Sequence, residues 1–329
     1  MIKKARKTPL KIRKLDALMR RVSNHHPARS KINEEFKKSK AGFRGERSLD
    51  YYLSAFNKND CFIFHDLRLQ GENNTIFQLD TLILSSCFVL ILEIKNIVGT
   101  LLFDQVFHQL IRTTNDQVNV FPDPLLQINK QSKQFEQYLQ KFVPSKMPII
   151  SYIIISNPSS QIKASSNSDS LSRKVIHAAS LPDKILLLEE QYSLPILSSE
   201  EMEKVTTTIL KDDTPLNPDV MKQFNICTSQ ILTGVHCPVC NYIPLERIRG
   251  GWWCEKCNNF SKIAYLFSLI DYLYLIKPTI TNREFRNFFH IPSIFTASRL
   301  LNDTGLSSTG SFKDREYMIS EKKLQIQPV

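Results

Sequence analysis

Four of the seven cysteines stand as two pairs, Cys237-Pro-Val-Cys240 and Cys254-Glu-Lys-Cys257, with 13 residues between them. No other feature restricts its neighbourhood so tightly. Each C-x-x-C forms a knuckle that aims two thiolates at one point, and the loop lets the second knuckle meet the first. A tetrahedral set of four soft sulfurs suits Zn²⁺ best, with iron the minor alternative. A redox dithiol needs only one such pair. Pro238 behind the first ligand and Gly250-Gly251 before the return strand suit a zinc ribbon. A module this small folds with its metal or not at all. His236 reads as a bystander, Cys61 and Cys87 as small buried hydrophobes, and Cys227 as uninformative.

Charge is the next constraint. The chain has 329 residues and a net charge of +11. Residues 1–47 hold 16 of the 43 Lys and Arg but only 4 of the 32 Asp and Glu, a local charge of +12. The rest of the chain is close to neutral. A basic arm on a neutral body implies a polyanionic partner, nucleic acid or an anionic membrane surface. Residues 1–40 therefore read as a flexible or partly helical arm, with Leu15, Leu18 and Met19 marking a short amphipathic helix. A hydrophobic content of 42% is ample for a packed core. No apolar run approaches the roughly 18–20 residues that span a bilayer. With no secretory signal at the N-terminus and cysteines spaced for metal, the expected location is cytoplasmic.

Periodicity then divides the chain. Gly42–Phe56 has helical spacing, and Cys61–Leu67, Ile76–Leu84 and Phe88–Ile94 read as strands, the last two joined as a hairpin. Val98–Phe107 adds a strand or hairpin, Leu125–Phe142 a helix, and Ile149–Ile155 a buried strand. Ser156–Ser172 reads as a surface loop, Lys174–Ala178 and Ile185–Leu188 as edge strands, and Ser199–Leu210 as a helix capped by Ser198 and Glu201. Asp219–Leu232 reads as one further helix before the cysteine module. The order predicts an α/β domain with a mixed sheet flanked by helices. The expected domains are a basic arm (1–40), an α/β domain (41–212), a linker helix with the zinc ribbon (213–263) and a C-terminal unit (264–329).

The stretch that carries chemistry is Gln78-Leu79-Asp80, then 12 residues, then Glu93-Ile94-Lys95. In a hairpin Asp80 and Glu93 come side by side, and strand alternation puts Glu93 and Lys95 on one face. Two carboxylates offer hard oxygens to Mg²⁺ or Mn²⁺. Such a metal polarises a phosphate oxygen and acidifies its water, while a lysine orients that water and offsets phosphate charge. An exposed Glu/Lys pair at a strand end is otherwise an ordinary solvated edge.

More motifs join these. Gly42-Phe43-Arg44-Gly45-Glu46, Gln78-Leu79-Asp80, Glu93-Ile94-Lys95-Asn96 with Gly99, and Asp123-Pro124-Leu125-Leu126-Gln127 follow in order. Residues 42–156 thereby resemble the nuclease-related (NERD) domain of the PD-(D/E)xK nuclease superfamily. The resemblance implies a restriction-endonuclease-like sheet, a metal-dependent phosphodiesterase acting on DNA, and a site of Glu46, Asp80, Glu93, Lys95 and Gln127, with Asp80 and Glu93 as metal ligands. Glu46 would assist metal binding or position Lys95, and Gln127 would point into the same cleft. The sequence departs from the family pattern at Leu79, at Thr81 in place of His, and at Asp123 in place of Asn.

The C-terminal unit reads as helix, turn, helix and hairpin, the order of a winged helix-turn-helix. Its recognition-helix candidates are Ser293, Thr296, Ser298 and Arg299, and its wing candidates Lys313 and Arg315. In the ribbon, Arg247, Arg249, Trp252, Trp253 and Lys256 are placed to grip phosphate or stack on bases, although at least one Trp is expected to fill the ribbon's own core. Competing readings are a non-catalytic nucleic-acid-binding protein on a nuclease fold, and a membrane-surface adaptor using the basic arm.

Overall fold

A computed structural model describes residues 1–54, 61–115, 117–143, 146–165, 169–311 and 314–324. The chain divides into two compact units, residues 1–8 with 40–216, and residues 9–39 with 217–329.

The first unit is built on a mixed six-stranded sheet. Its strands in spatial order are Ile2–Lys4, Cys61–Gln70, Ile76–Ser85, Val89–Lys95, Ile149–Ile155 and Val175–His177. The three strands from Cys61 to Lys95 run antiparallel, and the outer strands join in parallel. The central strands are apolar on both faces because both faces are covered. On one face Phe64, Leu82, Ile91 and Ile153 pack with Ile128 and Phe135 of the helix Pro124–Gln140 and with Val205 and Ile209 of the helix Ser199–Asp212. On the other, Ile63, Ile83, Leu90 and Ile154 pack with Leu49 and Leu53 of the helix Arg29–Ser54 and with Leu181 and Ile185 of the helix Leu181–Gln191. This is the expected mixed sheet flanked by helices. The capping box of Ser198 and Glu201 forms as read from the sequence.

Several local expectations are corrected. The segment Ile185–Leu188 is helical, because Leu181, Ile185 and Leu188 recur at helical spacing and are all buried. The expected loop Ser156–Ser172 contains the strand Gln161–Ala164, which adds to a second, four-stranded sheet with Thr100–Asp104, Gln109–Thr114 and Gln117–Pro122. Ile162 and Ala164 pack against the core from there. Asp219–Leu232 is not one helix: a single turn, Val220–Gln223, ends at Asn225 with φ 53°. The expected helix at Gly42 starts earlier, at Arg29, and its residue Phe56 lies outside the described residues.

The basic segment differs most from expectation. Ile2–Lys4 is a strand of the main sheet, and Leu10–Arg21 is a helix with Leu15, Ala17 and Leu18 fully buried in the second unit. Part of its charge is paired within the fold. Lys3 pairs with Glu203, Lys4 with Asp213, Arg6 with Glu46, Lys11 with Glu35, Arg13 with Glu321, and Arg20 and Arg21 with Asp271. Local charge counting could not show the pairs of Lys3, Lys4, Arg13, Arg20 and Arg21, because Glu203, Asp213, Glu321 and Asp271 lie far along the chain.

In the second unit, Leu10–Arg21 packs on the apolar helix Ala264–Leu275. A three-stranded ribbon, Glu246–Ile248, Gly251–Cys254 and Asn259–Ser261, carries the cysteines. Thr281 caps the helix Asn282–Phe289 in a capping box with Glu284, and Ser293 caps Ile294–Asp303. Thr279–Thr281, Glu316–Met318 and Ser308–Thr309 close a small sheet.

Candidate functional site

The hairpin register pairs Thr81 with Leu92 and Leu82 with Ile91, so the next pair is Asp80 with Glu93. At that point the Asp80 carboxylate accepts the Ile94 amide at 2.8 Å, so a side chain and not a strand carbonyl holds this end of the hairpin. Glu93, only 4% exposed, is held at both oxygens. Its Oε1 accepts from Lys95 Nζ at 2.6 Å and from Gln127 Nε2 at 2.7 Å, and its Oε2 from Gln131 Nε2 at 2.9 Å. Lys95 Nζ also donates to Gln127 Oε1 at 3.0 Å. Asp80, Glu93, Lys95 and Gln127 therefore meet at the end of the apolar strand. Glu46 stands beside them, with its ion pair directed to Arg6 rather than Lys95.

Electrostatics ties these carboxylates together. Desolvation, with the charges of Glu93 and Glu46, pushes the Asp80 carboxyl well above the usual carboxylate range. Desolvation, with Asp66 and Glu93, raises Glu46 against the pull of Arg6. A cation among these oxygens would relieve the repulsion. Gln131 Oε1 is, in addition, a buried acceptor with no partner among the described residues. Asp80 and Glu93 are thus a donor pair that fits Mg²⁺, which takes one or two carboxylates and completes its shell with water and phosphate.

The surrounding motif residues have physical reasons. A Cβ on Gly45 would lie 2.3 Å from the Asn96 Cβ, so glycine is what lets the helix approach the strand end. Asn96 then donates to the Ala41 carbonyl at 2.6 Å and ties the two motifs together. Gly99 has φ +118°, and a Cβ there would meet Thr114 Oγ1 at 2.4 Å. Asp123 caps the helix by accepting the Leu125 amide at 2.8 Å, with Pro124 in the first turn; Asn and Asp are equivalent in that role. The departure at Asp123 therefore leaves the helix start unchanged.

Three polar residues of the site escaped the sequence reading. Gln131 is one turn beyond Gln127 on the same helix face, a spacing that could have shown it. His65 faces Thr81 across the sheet, Nδ1 to Oγ1 at 3.1 Å, so the imidazole lacking at position 81 lies one strand over. Burial and Arg6 push His65 down to about 4, which keeps it neutral. Arg6 comes from the leading segment, and no local signal marks it.

In the second unit the four sulfurs of Cys237, Cys240, Cys254 and Cys257 lie within 4.8 Å of one another. Cys237–Cys257 and Cys240–Cys254 are each 3.5 Å apart, too far for a disulfide. Zn–S bonds of about 2.3 Å give tetrahedral edges of about 3.8 Å, so the cage fits zinc. Asn241 and Asn258, each directly after the second cysteine of a pair, take φ 59° and 54°. Asparagine tolerates that left-handed turn, so the repeated C-x-x-C-N is a knuckle signal. Desolvation and the neighbouring sulfurs push the Cys257 thiol up to about 12, which a bound cation would reverse.

The basic and aromatic candidates separate. Trp252 is buried, stacks on Tyr265, and carries Arg247 over its ring at 4.2 Å. Arg247 also donates to the Ile248 and Gly251 carbonyls, so it serves the ribbon's own packing. Arg249 is exposed, and Trp253 is half-buried opposite the exposed Phe260. Ser293 caps its helix by accepting the Thr296 amide, and Ser298 accepts from Asn282, so each hydroxyl keeps its own proton to donate. Arg299 and Arg315 are exposed, and Lys313 lies outside the described residues. No helix among the described residues is long and apolar enough to cross a membrane.

Comparison with known proteins places this geometry. No curated protein matches the chain. A solved structure, that of protein VC1899 from Vibrio cholerae, aligns at 11% identity over 52% of this chain and 37% of that one, with a TM-score of 0.24. The family model of the nuclease-related domain matches residues 41–156, the stretch whose motifs converge at the strand end. Residues 41–156 of this chain are a nuclease-related domain, accompanied in the same chain by a four-cysteine cluster of zinc-ribbon type.

Proposed function

We propose that the protein is a metal-dependent nuclease that hydrolyses phosphodiester bonds in DNA. The observation that carries this reading is the convergence of Asp80, Glu93, Lys95 and Gln127 at one strand end within a nuclease-related domain. Asp80 and Glu93 would hold Mg²⁺ or Mn²⁺, which when bound polarises a phosphate oxygen and acidifies water. The protein's own groups supply orientation. Lys95 is an ammonium with three donors, two of them committed to Glu93 and Gln127. The third remains for the attacking water or a phosphate oxygen. Gln127 and Gln131 fix both oxygens of Glu93, so the carboxylate does not reorient during the reaction.

The cysteine cage would hold zinc and stabilise an accessory module for nucleic-acid contact. Arg249, Trp253 and the exposed Phe260 offer it a cationic and aromatic surface. Arg299 and Arg315 would add phosphate contacts from the helix–turn–helix and hairpin segment.

The test is cleavage of a panel of DNA and RNA forms with Mg²⁺ or Mn²⁺, comparing wild type with Lys95→Ala and Asp80→Ala. Wild type should cut DNA, and both variants should bind without cutting. Equal cutting by all three would reveal a contaminant. Binding without cutting by wild type would leave a nucleic-acid-binding protein on a nuclease fold.

A further inference from the structure

The nuclease reading concerns residues inside the matched stretch, but a residue from outside it sits against the site. We propose that Arg6 is a positioning residue that locks Glu46 and the Asp80 strand in place, an inference that rests on the nuclease reading above. The Arg6 side chain is 3% exposed and spans three elements. Its Nη1 donates to Glu46 Oε2 at 2.9 Å and its Nε to Asp50 Oδ1 at 3.1 Å, two carboxylates one turn apart on the helix Arg29–Ser54. Its Nη2 donates to Thr81 Oγ1 at 3.0 Å, next in sequence to Asp80, and meets His65 Nδ1 at 2.9 Å.

The route to this position is built into the sheet. Ile2–Lys4 pairs in parallel with Cys61–Gln70, and Lys4 anchors it by pairing with Asp213 at 2.6 Å. Two residues beyond that strand the chain delivers the guanidinium behind the carboxylates.

The chemistry requires arginine. Only a planar fork with donors in fixed directions can hold Glu46, Asp50 and Thr81 at once. Without it Glu46 would face the charges of Asp66 and Glu93 with its ion-pair partner gone. Its burial also excludes contact with substrate. A phosphate-gripping arginine must be exposed, and its loss raises KM. Loss of a buried positioning arginine lowers kcat instead.

The experiment measures kcat and KM for Mn²⁺-supported DNA cleavage by the full chain. It compares wild type, Arg6→Ala, Arg6→Lys and the exposed neighbour Lys7→Ala. Arg6→Ala should lose roughly 10- to 100-fold in kcat, as expected for a misplaced reacting group. KM should stay within about twofold. Arg6→Lys should recover part of the rate, millimolar guanidinium should partly rescue Arg6→Ala, and Lys7→Ala should match wild type. A purely structural role would lower the melting temperature without guanidinium rescue, and that result overturns the proposal. An unchanged kcat, or a raised KM at constant kcat, also overturns it while leaving the nuclease reading intact. Should Arg6→Ala fail to fold, Arg6→Lys decides alone: wild-type kcat refutes the fork argument, and reduced kcat at constant KM supports it. A wild type that does not cut removes both readings together.

Discussion

Replacing Arg21 with methionine should unfold the second unit at much lower denaturant. Arg21 and Asp271 are both 0% exposed and joined at 2.9 Å. Arg21 Nη1 also donates to the Leu232 carbonyl at 3.0 Å and the Gly234 carbonyl at 2.7 Å. Removing one partner of a buried ion pair costs about 3–5 kcal/mol, chiefly because the other charge stays buried. Arg20 still donates to Asp271 at 2.8 Å, which argues for the lower end of that range. A loss of about 3 kcal/mol is a large share of the ~5–15 kcal/mol that stabilises a domain. At a slope of about 2 kcal/mol per molar urea, the midpoint should fall by about 1.5 M. Both tryptophans, Trp252 and Trp253, lie in the second unit, so their fluorescence reports its unfolding. Zinc is kept in excess so that metal release does not move the midpoint. A shift below roughly 0.3 M would refute the reasoning, since the basic segment would then contribute no net stability through this pair. The double variant Arg21→Met, Asp271→Leu should recover much of the loss, because the fully buried pair is gone and Arg20 keeps Asp16 as its partner.

Three further outcomes are expected. Asp271 is held well below the usual carboxylate range, because Arg21, His236 and Arg20 together outweigh its desolvation. Its stabilising contribution is therefore complete above about pH 4 and is lost as pH falls through the depressed folded value; acid titration of tryptophan fluorescence should show this loss, and Asp271→Asn should reduce it. Gly45→Ala should destabilise the first unit by about 1–3 kcal/mol in calorimetry, because its Cβ meets Asn96 too closely for either backbone to yield cheaply; an unchanged transition would show that the helix can shift. Cys254→Ser should lower bound zinc below one per chain by metal analysis and disturb the tryptophan environment, whereas Ser at the exposed Cys227 should change neither.

The site was legible where chemistry is local in sequence. Asp80, Glu93 and Lys95 follow from two apolar strands ending in charge, and a hairpin register carries them together. The cysteine cage follows from spacing alone. Arg6 and His65 were not legible, because their value depends on which strands lie side by side. Ile185–Leu188 misled for the opposite reason: four apolar residues suit a strand or a buried helix equally, and only the burial of Leu181 and Leu188 decides.

What the sequence determined by itself was therefore the set of short-range geometries. These are strand alternation, the helix cap at Ser198, and paired cysteines, each governed by neighbours within a few residues. Tertiary structure alone decided the fate of the charge. Read along the chain, residues 1–47 are a cationic arm; in the fold, Lys4, Arg6, Arg13 and Arg21 meet carboxylates 40 to 308 positions away. Electrostatic pairing depends on distance in space, which residue counting along the chain does not measure, and so a segment that reads as a tether is divided between both units and lends its helix to the core of the second.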